Sequence, residues 1–121
     1  MQKKILIVDD DTRNIFALTA VLKAKGFSCI SATGALEGLN ILATTKDIGV
    51  VLLDMMMPDM DGYEVLSRIK ENSVNHPPII AVTAQAMIGD REKCLDAGAD
   101  GYIPKPIDLD ILLTALNTYL K

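Results

Sequence analysis

Four places in the chain carry residues able to do chemistry together: Asp9-Asp10-Asp11, Asp54, Thr83 and Lys105. Each follows a short run: ILIV (Ile5–Val8), VVLL (Val50–Leu53), IIAV (Ile79–Val82) and GYI (Gly101–Ile103), the last with Pro104 between it and Lys105. A charge at the mouth of a buried run costs free energy unless something pairs with it. Carboxylates gathered at one place repel one another, and a hard divalent cation relieves that repulsion. An all-oxygen set with no histidine or cysteine beside it suits Mg2+, with Mn2+ as a substitute. Mg2+ keeps several waters and so leaves positions for phosphate oxygens. Lys105 adds a fixed positive charge and Thr83 a hydroxyl donor. The set is suited to hold negative oxygens that the chain itself does not contain. Taken singly, each residue has a plainer reading: Asp11 as a helix cap, Thr83 as a strand residue, Lys105 as a surface charge.

These residues converge only if the apolar runs are neighbouring strands pointing the same way. Short continuous aliphatic runs mark strands buried on both faces. Between them lie helical patterns. TRNIFALTAVLKAKG places Ile15, Leu18, Val21 and Leu22 on one face, with Asp11 or Thr12 as cap and Gly26 as stop. Phe27–Ala32 reads as a second strand, and Ala35–Thr44 as a second helix weakened by Gly38. Tyr63–Glu71 is a third helix, and Pro77-Pro78 breaks the chain before the fourth strand. A polar helix over Ile88–Ala97 ends at Gly98; Gly101–Ile103 is a short fifth strand. Asp108 caps a last helix carrying Leu109, Leu112, Leu113, Leu116 and Leu120. Five strands alternating with five helices call for an open, parallel, doubly wound sheet. In such sheets the crevice lies beyond the carboxyl ends of the strands, where the strand order reverses.

Composition narrows the classes of function. The chain has 121 residues, 50% of them hydrophobic and 23% charged, which suits one globular domain, residues 1–121. No apolar run is long enough to span a bilayer, and the apolar part of MQKKILIV is too short for a secretion signal. No membrane contact and a cytoplasmic location are therefore expected. The net charge of −4 offers no basic stripe, which argues against direct nucleic-acid binding. Cys29 and Cys94 read as small core or boundary residues, and the single histidine, His76, as part of a solvated loop. A His-based metal centre or Ser-His-Asp triad has little to build on. Met1 directly ahead of the first strand favours a natural start, and no DNA-binding or enzymatic domain is expected after the last helix, with a domain cut from a longer protein as the equal alternative.

The stretches ILIVDDD, VVLLDMMMPDMDG, AVTA and GYIPKPI, in this order, resemble the receiver domain of two-component response regulators, stand-alone or attached to a hybrid kinase. The resemblance covers Lys3 to Lys121 and implies a flavodoxin-like sheet in the order 2-1-3-4-5. It makes Asp54 the phosphoryl acceptor. Asp9, Asp10, Asp54 and the backbone carbonyl of Met56 become the protein ligands of Mg2+. Thr83 and Lys105 become the hydroxyl and ammonium that receive the phosphoryl oxygens, and Tyr102 the switch aromatic. The Lys105-Pro106 bond would be cis in such a domain. The donor implied is a phosphohistidine on a histidine kinase or histidine phosphotransfer protein. The output implied is a protein target or attached domain reading the surface of Ala84–Ala97, Gly101–Ile103 and the last helix. Such a chain is no enzyme in the usual sense: it promotes its own phosphorylation and dephosphorylation. Met56 and Gln85 lie where side chains would set the lifetime of the acyl phosphate.

Rival readings are a phosphohydrolase using an aspartyl-phosphate intermediate, a nucleotide or flavin binder, and an unphosphorylated interaction module. The first generally pairs its nucleophile with a second aspartate two residues later, and Met56 stands there. The second wants a glycine- or hydroxyl-rich loop after the first strand, where DDDTRN offers negative charge. The third implies a degenerate site, and every key position is present.

Overall fold

The third strand sets the frame. In the computed structural model, which describes residues 3–72, 76–84 and 89–120, β3 runs Ile48–Asp54 with every residue buried. A strand that is aliphatic on both faces must be covered on both, and parallel neighbours get that cover from crossover helices. The elements alternate: β1 Lys4–Val8, α1 Thr12–Ala24, β2 Ser28–Ala32, α2 Ala35–Thr44, then β3. They continue with α3 Gly62–Asn72, β4 Ile79–Thr83, α4 Asp90–Asp96, β5 Gly101–Pro104 and α5 Leu109–Tyr119. All strand pairs are parallel and the order is β2-β1-β3-β4-β5. This is the doubly wound sheet expected from the alternation. The chain steps outward from β1 to β2 and returns across β1 to β3, so the order reverses between β1 and β3.

Side-chain alternation along the strands feeds two cores. Val51 and Leu53 of β3 join Leu6, Val8, Leu66 and Ile69 on one face, with α2 and α3. Val50 and Leu52 join Ile5, Ile7, Leu22, Leu112 and Leu116 on the other, with α1 and α5. Asp11 rather than Thr12 caps α1, its Oδ1 accepting from the backbone N–H of Arg13 at 3.0 Å and of Asn14 at 3.4 Å. Asp108 does the same for α5 through Asp110 N and Ile111 N.

The differences from the expected boundaries have local causes. β3 begins at Ile48 rather than Val50, because the pairing with β1 shifts register between Lys4 and Ile5 and accommodates Gly49. Asp54 and Thr83 close β3 and β4 as their last residues, where the sequence places them. The expected start of the fourth helix, Ile88, and also Gln85, lie outside the described residues. His76 is half-buried rather than fully solvated, its Nδ1 lying 2.9 Å from the Pro77 carbonyl.

Gly38, which weakens α2 on propensity alone, is buried because α2 approaches β1 there. A Cβ at this position would lie 2.9 Å from Val8 Cγ2 and 3.1 Å from Val8 Cγ1. Val8 is β-branched and buried, so it has little freedom to yield. Gly38→Ala gains about 1 kcal/mol of helix propensity, against an overpacking cost of about 1–3 kcal/mol. The expected outcome in urea unfolding is a net loss of stability, reversed when the same change is made on Val8→Ala. A stabilised Gly38→Ala in the wild-type background would refute the close-approach account.

Candidate functional site

Because β1 pairs with β3 and Val8 stands opposite Leu53, the next residues, Asp9 and Asp54, emerge side by side. Both are nearly inaccessible, at 3% and 4% exposure, whereas Asp10 is exposed. Carboxylate oxygens of Asp9, Asp10 and Asp54 all lie within 4.8 Å of one another. Lys105 arrives from the end of β5, its backbone N–H donating to the Thr83 carbonyl at 2.8 Å. Its Nζ lies 3.4 Å from Asp9 Oδ2 and 3.5 Å from Asp54 Oδ2. The Lys105-Pro106 peptide bond is cis. Thr83 is buried at the end of β4, in register with Pro104.

The loop after Asp54 is tied down at several points. Met56 N donates to Asp54 Oδ1 at 3.0 Å, and Gly62 N to the Met55 carbonyl at 3.1 Å. Gly62 packs on Met55, where an added Cβ would come within 2.7 Å of the Met55 Cα. Asp61 caps α3 through Glu64 N at 2.9 Å. Asp59 reaches across to α2, accepting from Ala35 N at 3.0 Å and Leu36 N at 3.4 Å. Met55 and Met57 are buried, Met60 is partly buried, and Met56 is 52% exposed. The methionines therefore anchor the loop from beneath, and Met56 alone of the consecutive three faces outward.

Electrostatics at the site are finely opposed. Burial pushes the Asp54 carboxyl up from 3.8 to about 6. The Met56 N–H and the Lys105 ammonium pull it down, and Asp9 pushes it up again. Three carboxylates face one ammonium, so the cluster retains net negative charge. The donor set fits a hard divalent ion: it is all oxygen, and Asp9 and Asp54 are already oriented by hydrogen bonds. Among the described residues, Asp9, Asp10 and Asp54 are thus the group that would hold such an ion.

Tyr102 lies on β5 opposite Ala81, half-buried against the core that also contains Cys94. Burial raises its phenol, with smaller contributions from Asp90 and Cys94. Cys94 is buried and Cys29 partly so, and both are free thiols raised by burial. Two residues at the site escaped the sequence reading. Asn14 Nδ2 donates to Asp9 Oδ2 at 2.6 Å, and Asp59 caps a helix from another loop. Asn14 had a signal, one turn into a helix that starts beside the acidic run. Asp59 had none, because its partner lies 24 residues away.

The family model of the response regulator receiver domain matches residues 5–117. The chain belongs to this family. It is 36% identical over 117 residues to the sensor histidine kinase RcsC of Escherichia coli (strain K12), covering 97% of this chain and 12% of that kinase. It therefore spans only a small part of the kinase it matches. It is 34% identical over 121 residues to the polar-differentiation response regulator DivK of Brucella ovis, covering 99% of this chain and 98% of DivK. A CheY-like receiver domain protein from Methanospirillum hungatei JF-1 shares the fold with a TM-score of 0.87 at 33% identity, covering 99% of this chain and 94% of that one. The receiver domain is a signalling module of two-component systems. Among the described residues, no helix is long and apolar enough to cross a membrane.

The raised Asp54 carboxyl has a signed consequence for the metal-free protein. The folded state binds a proton at Asp54 below about pH 6, whereas the unfolded chain does so only near 3.8. This contribution to stability is fully present below pH 3.8 and is lost as pH rises through about 6. In EDTA, Asp54→Asn should exceed the wild type in stability by about 1–2 kcal/mol at pH 7.5. The gap should shrink as pH falls toward 4.5. Parallel thermal-unfolding profiles for the two proteins across that range would contradict the assignment.

Proposed function

We propose that this receiver domain, residues 1–121, accepts a phosphoryl group on Asp54 from a phosphohistidine of a histidine kinase or histidine phosphotransfer protein. The observation that carries the reading is the convergence of Asp9, Asp10 and Asp54 within 4.8 Å, with Lys105 bridging Asp9 and Asp54. Asp9, Asp10, Asp54 and the Met56 carbonyl would hold Mg2+. The ion, when bound, offsets the carboxylate charge and that of the incoming phosphoryl oxygens.

An oxygen of the Asp54 carboxylate attacks phosphorus as the P–N bond to the donor imidazole breaks. The bonding electrons return to the ring nitrogen, and the phosphoryl group ends as an acyl phosphate. Such transfers have a loose transition state, so positioning and charge do most of the work. No separate base is needed, because above about pH 6 the Asp54 carboxyl is already largely ionised. Lys105 leaves its two carboxylates to pair with phosphoryl oxygens, and Thr83 donates its hydroxyl to another. Water attack on the acyl phosphate reverses the modification, at a rate set in part by Met56 and Gln85.

The modification replaces a carboxylate by a group of charge near −2. The chain beyond Thr83 is drawn toward it, and Tyr102 turns into the space released. The surface of α4, β5 and α5 then presents a different face to a protein target or attached output domain. This is a population shift between two arrangements, biased by a few kcal/mol. A cytoplasmic site of action goes with a phosphohistidine donor, and the phosphorelay role needs no contact with nucleic acid or membrane.

Incubation with acetyl phosphate followed by intact mass measurement tests the reading. The expected result is a single phosphoryl adduct that requires Mg2+ and is absent in Asp54→Asn. Lys105→Ala should slow its formation on the order of 100-fold. Lack of an adduct where another receiver domain is labelled would overturn the phospho-acceptor reading in favour of an interaction module. Steady turnover of phosphate esters would favour the phosphohydrolase.

A further inference from the structure

Asn14 brings a hydrogen-bond donor without a charge to the acidic site. Its Nδ2 lies 2.6 Å from Asp9 Oδ2, the oxygen that Lys105 Nζ approaches at 3.4 Å. The other oxygen, Oδ1, accepts from Asp11 N at 2.9 Å. Asp11 in turn caps α1 over Arg13 and Asn14. The end of β1 and the first turn of α1 thus close into one ring: Asp9 to Asp11, Asp11 to Asn14, and the Asn14 amide back to Asp9. Asn14 also lines, with Asp9, Asp54, Leu18 and Val82, a void of about 10 Å³ beneath the carboxylates. That is at most room for a single water.

The two side-chain partners of Asp9 Oδ2 have different fates. Lys105 also contacts Asp54, and in the reaction above it turns to the phosphoryl oxygens. Asp9 then keeps its burial but loses its ammonium. Without Asn14, only the Asp11 N–H on Oδ1 would remain, and the carboxylate could pivot about that contact and turn away from Asp10 and Asp54.

We propose that Asn14 is a positioning residue, whose neutral N–H holds the Asp9 carboxylate facing Asp10 and Asp54 before and after Lys105 moves. The inference rests on the phosphotransfer reading. A neutral donor suits the task better than a charged one. A second ammonium would compete with the divalent ion, and another carboxylate would add repulsion. Partners standing behind a metal ligand in this way typically change metal affinity or activity by about 10–100-fold when removed.

The test uses the unphosphorylated full chain, with Mg2+ affinity by titration calorimetry, thermal unfolding in EDTA, and labelling by acetyl phosphate at saturating Mg2+. Alanine is a better helix former than asparagine. A role confined to α1 therefore leaves Asn14→Ala at least as stable, with Mg2+ affinity unchanged. Positioning instead predicts Mg2+ binding weakened by about 10-fold, slower labelling even at saturation, and little change in unfolding midpoint. Asn14→Gln, which keeps the donor, should recover most of the loss. Affinity and labelling rate in Asn14→Ala indistinguishable from the wild type would overturn the inference. If the wild type binds Mg2+ but takes no phosphoryl group, the functional reading fails, while weakened binding in Asn14→Ala still upholds the positioning role. A wild type that binds no Mg2+ overturns both.

Discussion

Two carboxylates buried side by side on a single ammonium form the constraint around which this molecule is arranged. Asp9 and Asp54 are each nearly sealed from solvent, where neither the ions nor their repulsion is well screened. Neighbouring parallel strands bring the two residues that follow Val8 and Leu53 to one edge in register. The order β2-β1-β3-β4-β5 does so by returning the chain across β1. Lys105 comes from β5, two strands from β3, and its long side chain spans the gap over β4. Its backbone is held to the end of β4 by the hydrogen bond to Thr83. The ammonium position is thereby set by the sheet and not by a free loop.

Six aspartates around the crevice divide by what lies opposite them. Asp11, Asp61 and Asp108 accept backbone N–H bonds from the first turns of α1, α3 and α5. Asp59 supplies the same bond to α2, whose own cap, Gly34, has no side chain to offer. These four satisfy donors that a helix start leaves unpaired. Asp9 and Asp54 also accept backbone bonds, but each keeps an oxygen directed at the shared site. One residue type thus builds the walls of the crevice and furnishes its chemistry. The difference lies in whether an oxygen is left facing the Lys105 ammonium, as in Asp9 and Asp54.

Much of this was legible in the sequence, for a physical reason. Strands buried on both faces read as unbroken aliphatic runs, so β1, β3 and β4 announced themselves, and Asp54 and Thr83 stood at their ends. What escaped depends on residues far apart in the chain. Gly38 looked like a weakness in α2, yet it is where α2 meets Val8 of β1. The start of β3 was placed late because Gly49 interrupts its aliphatic run. Asn14 is the local exception, five residues from Asp9, on a helix whose spacing marks only its apolar face. Its contact with Asp9 follows from the angle at which α1 leaves β1, which no spacing rule encodes.

The helix starts also differ in how firmly they are held, which bears on where a switch can act. α1 and α5 begin under aspartate caps, and α2 under Asp59. α4 spans only Asp90–Asp96 and begins at Gly89, with φ of +89° and no side chain to bond its first turn. Among the described residues, buried Cys94, whose Sγ lies 3.7 Å from the Tyr63 hydroxyl, and Lys93 over the Tyr63 ring at 4.7 Å tie it to α3. Short elements with few buried side chains rearrange at least cost. Tyr102 packs against the same core as Cys94, so a shift of α4 changes the room available to it without disturbing the opposite core. The aspartate-capped starts of α1 and α5 and the Asp59 bond to α2 keep the elements around the acidic site in place.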